Sequence, residues 1–319
     1  MQEITSTSKQ TFQAIFAKCN DVWQDFSKFA KTNPQYLLCS VLYYVLASFF
    51  LGGVFSSFLI ALLSYVITLF IVFTPTGEKV LRFFEQVRKI ETKQEKEYLI
   101  PLFQEVYQQA KEQNPELGHI ELCIIDKMTV NACALGKHTI AVTKGAMDIF
   151  SHEELKAVLA HEIAHILYGD TVARLYMAVG NGIFTTFVIT AQLFILIAEW
   201  MEILYSKRKS SFSFAWVLIS LVKFLFTAIL FVIQSFMQAV LAFSSRKSEF
   251  RADLFAYELG YGEKLVQAFY LLEKMQLGAD ATVIQRMLRD HPRITARIEQ
   301  IEILLDQETA MQSVPLPLN

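Results

Sequence analysis

The sequence predicts a mainly α, multi-pass membrane protein, with four transmembrane helices alternating with polar α+β segments. Three observations carry that reading. Of the 319 residues, 53% are AVILMFWYC and 27 are Phe, against only 19% charged; soluble domains average about 25% charged. The apolar excess is gathered in blocks: no charge falls between Thr32 and Gly77, and Lys223 alone interrupts the run Ser210–Ser245. Those blocks are apolar all round, whereas the helices of a soluble core are amphipathic.

Taken in order, 1–35 is an amphipathic segment. Phe12, Ile15, Phe16, Cys19, Val22, Trp23, Phe26 and Ala30 recur at helical spacing on one face, which suits the membrane interface or packing on the protein equally. It lacks the charged, apolar, small-residue order of a signal peptide. A span needs about 17–25 residues, so 36–73 is read as a hairpin of two spans turning at Gly52-Gly53. A second hairpin is expected over 175–245. Its Asn181, Gln192, Lys223, Gln234 and Gln238 are costly in lipid and should face protein or water. Nine basic residues flank the spans on the N-terminal side and three (Lys207, Arg208, Lys209) on the other. That asymmetry puts both termini and the polar segments in the cytoplasm, although the Lys-Arg-Lys cluster argues locally for a second hairpin that crosses incompletely.

Two polar stretches remain. The first, 74–174, opens with two helices between Glu78 and Gln113, broken near Pro101. Strands follow at Ile120–Ile125 and Thr139–Thr143, with a loop or a third strand over Asn131–Lys137. Ser151-His-Glu-Glu154 is a capping box opening a helix that ends near Gly169. The second stretch, 246–310, is helical and precedes a flexible tail over 311–319 with two prolines. A net charge of −2, spread along the chain, excludes a nucleic-acid footprint. The four cysteines form no CxxC pair and read as reduced thiols; a Cys123–Cys133 bridge is the minority case.

The chemistry sits in the capped helix as His161-Glu-Ile-Ala-His165. Residues i and i+4 share a helix face, so both imidazoles can reach one metal while Glu162 approaches its open position. Two neutral imidazoles suit zinc. From this composition the pattern arises by chance about once in a hundred sequences. A third ligand is needed. His152 faces elsewhere on the helix. Asp170 follows the helix end and is possible, though its loss is expected to disturb little beyond that end. Glu249 is the best candidate; Asp253 shares its helix face and, being shorter, is suited to accept the second ring N–H of a ligating imidazole.

The order of Asn131-Ala-Cys-Ala-Leu-Gly136, Val142-Thr-Lys-Gly145, the HExxH helix, Ser245-Arg246 with Glu249 and Ala252-Asp253, then His291-Pro292 with Arg297 and Ile298 resembles the HtpX-type membrane zinc metallopeptidases. The CAAX prenyl proteases are larger relatives. The resemblance runs from about Ile4 to Leu304. It implies a zincin-like α+β metalloprotease domain with a small sheet, facing the cytoplasm from the bacterial inner membrane. It makes His161, His165 and Glu249 the ligands of one Zn2+ per chain, Glu162 the catalytic base and Asp253 a support behind the ligands. His291 and Arg297 would stabilise the transition state and brace the site. Asn131, Ala132, Cys133 and Ala134 would form an edge strand pairing with the substrate backbone. Cys133 stands where an aromatic is usual and Arg293 where a second proline is common, which bears on side-chain preference rather than on chemistry. The implied function is hydrolysis of misfolded or damaged membrane proteins at the bilayer, in protein quality control under stress. A CAAX-type processing protease and a proteolytically silent metal-binding scaffold are the alternatives. Four spans are too few for the first, and every catalytic position is filled against the second.

Overall fold

In this computed structural model the described residues are 66–176, 246–277 and 294–312, with 22–31 and a few single positions at 20, 34, 37, 38, 41, 63 and 232. They fall in two compact units, Met1–Pro75 with Ala173–Leu241 and Thr76–Val172 with Ala242–Asn319. No helix among the described residues is long and apolar enough to cross a membrane; the hairpins expected over 36–73 and 175–245 lie largely outside them. In the first unit, residues 22–31 are helical, and Phe29 packs its ring against Phe73 and Tyr176 at 5.6 and 5.2 Å between centroids.

The second unit is mainly helical around a small mixed sheet. Its elements run α1 (Pro75–Phe84), β1 (Val87–Lys89), α2 (Lys93–Gln113), β2 (Glu121–Ile125), β3 (Ala132–Leu135), β4 (Thr139–Thr143), α3 (Lys144–Ile149) and α4 (His152–Leu167). A helical run over 246–256 follows, then a widened turn at Tyr257–Tyr261, α5 (Gly262–Leu277) and α6 (Ile294–Gln312). Strand order is β1-β2-β4-β3, with β2 and β4 parallel and both outer pairs antiparallel.

The expected break at Pro101 does not occur. The chain breaks earlier, at β1, and Pro101 lies inside α2. Thr92 and Glu95 start α2 with a reciprocal capping box. Leu99, Leu102, Phe103 and Val106 then bury one face, while Pro101 sits on the exposed face. The carbonyl that loses its partner to proline is therefore on the solvent side, and packing outweighs the cost. Ser151 and Glu154 cap α4 as the sequence predicts.

One sheet face joins the main core, where Leu122, Ile124, Ile140 and Val142 meet Leu155, Leu159 and Ile163 of α4. The other buries Cys123, Ile125 and Ala141. Cys123 and Cys133 both pair with Ala141, one from each side. That places them two strand spacings apart, about 9.5 Å, beyond disulfide reach. Gly145 is required by a close approach: a Cβ there would lie 2.2 Å from the Met128 carbonyl oxygen, where the loop into β3 crosses the start of α3.

In the middle of β1, Arg88 binds Asp126 and Glu95 together, at 2.6 and 2.5 Å. Its guanidinium is the main reason the Glu95 carboxyl is held down to about 2, helped by the Thr92 and Glu91 backbone N–H groups. Because the folded value lies below the unfolded one, this stabilisation is complete above about pH 5 and is lost as pH falls towards 2. Glu95→Gln keeps the capping box but not the charge. Thermal unfolding should show a lower midpoint than wild type at pH 7, with the difference closing between pH 5 and 2.

Candidate metal centre

Helix α4 is buried on almost every side, and its two imidazoles point into protein rather than solvent. His161 and His165 are 6% and 1% exposed. The run 246–256 brings Glu249 to the same place: the ligand-type atoms of His161, His165 and Glu249 all lie within 4.8 Å of one another. His161 Nε2 and His165 Nε2 are 3.1 Å apart, and each is 3.5 Å from one Glu249 oxygen. Four ligands at about 2.05 Å around a tetrahedral ion are separated by about 3.3 Å. The triangle therefore has the size of one face of a zinc tetrahedron.

Charge agrees with geometry. Glu162, Asp170, Glu249 and Asp253 are all buried; among the described residues the guanidiniums that reach them are those of Arg251 and Arg297. Carboxylates outnumber guanidiniums at this place, as a cation site requires.

Each imidazole is held from behind. Asp253 Oδ1 lies 2.9 Å from His161 Nδ1, the contact expected of it. Asp170 Oδ2 lies 3.1 Å from His165 Nδ1, and its other oxygen accepts from Arg251 at 2.6 Å. Asp170 is thus more than a helix-end residue. Gly169 takes a left-handed φ of +75° after α4, folding the chain back so that Asp170 reaches the last turn. Arg251 also stacks on Tyr168, 4.3 Å from the ring centroid.

Arg297 of α6 spans the carboxylates. Its Nε and Nη2 donate to both Asp253 oxygens at 2.7 and 2.5 Å, while Nη1 is 3.1 Å from Glu249. The Phe269 ring closes the other side, 4.2 Å away. Burial would raise the Asp253 carboxyl, but Arg297 outweighs it and holds the group below the usual carboxylate range. Burial likewise lowers His161, yet Asp253 and Glu249 prevail and lift it to about 9. His291 lies outside the described residues.

Glu162 turns toward the sheet, where its Oε2 accepts from the Ala134 N–H at 2.8 Å. The Thr143 N–H donates to the Asn131 carbonyl. Alternation along β3 then points the backbone of 131, 133 and 135 at β4, and that of Ala132 and Ala134 away from it. Among the described residues no further strand lies beyond β3. The turn after β3 is fastened twice: Thr171 donates to the Gly136 carbonyl, and Glu78 accepts from the Lys137 N–H at 3.2 Å.

A buried His-Glu-x-x-His helix facing a carboxylate from a second helix, beside an open strand edge, defines the metallopeptidase class. Residues 93–304 match the profile of Peptidase family M48, and the chain belongs to that family. Over 203 residues it is 29% identical to a protein named Protease HtpX homolog from Nitrosomonas eutropha, covering 58% of this chain and 66% of that one. It is 29% identical over 220 residues to Protease HtpX of Tolumonas auensis, covering 63% and 71%. It is 30% identical over 204 residues to Protease HtpX of Xanthomonas campestris pv. campestris, covering 57% and 65%. The chain thus spans about two thirds of the length of these curated relatives. A solved structure, that of S. mikatae Ste24p, aligns with 88% of this chain and 66% of its own at 20% identity and a TM-score of 0.44.

Metal content separates the neighbouring carboxylates. Glu249→Ala should leave the purified protein nearly metal-free. Asp253→Ala and Asp170→Asn should each retain metal but bind it about 10–100-fold more weakly, as loss of a group behind a ligating imidazole does. Competition with a calibrated chelator measures all three.

Proposed function

We propose that the protein is a membrane-anchored zinc endopeptidase that hydrolyses misfolded or damaged membrane proteins, in protein quality control at the cytoplasmic face of the bacterial inner membrane. The reading rests above all on the three-atom triangle of His161, His165 and Glu249 lying beside both Glu162 and the open edge of β3. Bound there, one zinc per chain supplies Lewis acidity toward a peptide carbonyl and toward water.

The chain's own groups do the rest. Ala132 presents its backbone on the open edge of β3, where an extended peptide can pair by main-chain hydrogen bonds, tolerant of sequence. Glu162 takes the proton of the attacking water and returns it to the leaving amine. The Ala134 N–H holds that carboxylate at the edge where the scissile bond arrives. Asp253 and Asp170 keep both imidazoles oriented, and Arg297 holds Glu249 and Asp253 in place. Arg297 is fully engaged with these carboxylates, so its role is to brace the site. Stabilising the charge that develops on the carbonyl oxygen falls to His291, whose place in the family pattern supports that role. The family resemblance and the uncharged blocks of the sequence support that substrate class.

Glu162→Gln preserves an acceptor for Ala134 but cannot carry the proton. The purified variant should keep about one zinc per chain and cleave an unfolded model protein at least about 100-fold more slowly than wild type. Wild-type rates in the variant would remove Glu162 from the chemistry.

A further inference from the structure

The polarity of α1 is reversed. The side turned to the protein carries Glu78 and Arg82, committed to ionic contacts: Arg82 donates to Glu121 at 2.7 Å and to Glu78 at 3.0 Å, and Thr139 bonds both residues. The side turned outward carries Val80, Phe83 and Phe84, which are 43%, 78% and 73% exposed. These positions are i, i+3 and i+4, a single stripe, and the two Phe rings touch at 5.8 Å. The Lys127–Glu85 ion pair brings the loop ahead of β3 to the end of α1, and that loop adds Met128, 71% exposed. A helix that turns Glu78 and Arg82 inward and its aromatics outward is suited to surroundings less polar than water.

Chain position names those surroundings. The uncharged run that begins at Thr32 ends at Gly77, inside the first turn of α1. Phe83 lies six residues further, about 9 Å along a helix. The polar layer of one leaflet is about 5–8 Å thick, and side chains on a helix lean back toward its N-terminus. Both rings therefore fall within the headgroup layer. Lys79, exposed between them and the run, has the length to place its ammonium among phosphates.

We propose that the outward face of α1, Val80, Phe83 and Phe84 with Met128 beside them, is a lipid-contact surface seated in the headgroup layer. This rests on the reading of the chain as membrane-anchored. It gives that reading a consequence: the loop leading into the substrate-pairing strand lies at the bilayer surface, where a chain drawn from the membrane first becomes accessible.

Photo-crosslinking in proteoliposomes of phosphatidylethanolamine and phosphatidylglycerol tests it on the full chain. The analogue p-benzoylphenylalanine is placed singly at Phe83, at Phe84, at the exposed Tyr270 of α5, and at Phe58 within the uncharged run; retained zinc content verifies folding. Mass spectrometry should find phospholipid adducts at Phe83 and Phe84 at least tenfold above Tyr270, and adducts at Phe58. Adducts at Phe58 but not at Phe83 or Phe84 would overturn the lipid face and leave membrane anchoring standing. Adducts at none of these sites would overturn both. Covalent chain dimers through Phe83 or Phe84 in place of lipid adducts would assign the face to a second copy instead, and equal labelling at Tyr270 would remove its distinction from any other surface.

Discussion

Arg297 is the constraint on which the centre depends. Glu249 and Asp253 are held almost fully out of water, and two carboxylates placed there without compensation would unfold the site or take up protons. A single planar guanidinium reaches both, two-pronged on Asp253 and end-on to Glu249, a geometry that lysine cannot reproduce. Removing one partner of such a buried pair typically costs about 3–5 kcal/mol. Because Arg297 comes from α6, Glu249 and Asp253 from the run 246–256 and the imidazoles from α4, this one group binds three helices to one centre. Phe269 of α5 packs on its face and brings in a fourth.

The sheet is fastened to the same centre. Glu162 sits between the two imidazoles in sequence and holds the Ala134 N–H in space, so the reacting carboxylate and the strand edge share one hydrogen bond. The turn beyond is gripped by Thr171, just past α4, and by Glu78 of α1. Gly136 permits that grip: its φ is +60°, and a Cβ there would come within 2.6 Å of the Glu78 carboxylate. Strand, base and ligands are therefore set against each other by contacts that all converge on residues 134–137 and α4.

Local rules made part of this legible in the sequence. The Ser151 capping box, the i, i+4 spacing of His161 and His165, and the matching spacing of Glu249 and Asp253 are read from neighbours in the chain, and the structure brings these four side chains together. The strands read at Ile120–Ile125 and Thr139–Thr143 are short apolar runs rich in β-branched residues, and the structure has them at Glu121–Ile125 and Thr139–Thr143. Hidden features depend on distant partners. β1 has only three residues and exists because it pairs with β2; Pro101 is tolerated because of which side of α2 is buried. Asp170 looked like a helix-end residue because its contact to His165 requires the left-handed turn at Gly169, for which the Gly-Asp pair directly after the helix was the available signal. Arg251 and Thr171 carried no signal of their own. The reversed polarity of α1 was equally invisible, since apart from each other the partners of Glu78 and Arg82 lie 39 to 61 residues away.

The central claim is that two imidazoles and one carboxylate, set by three helices around Arg297, form a single zinc site. X-ray absorption at the zinc edge of the purified protein tests it most directly. The account predicts about one zinc per chain in a shell of nitrogen and oxygen at about 2.0–2.1 Å, with the outer-shell scattering of two imidazoles and no sulfur. A sulfur shell at about 2.3 Å, or scattering from fewer than two imidazoles, would contradict it.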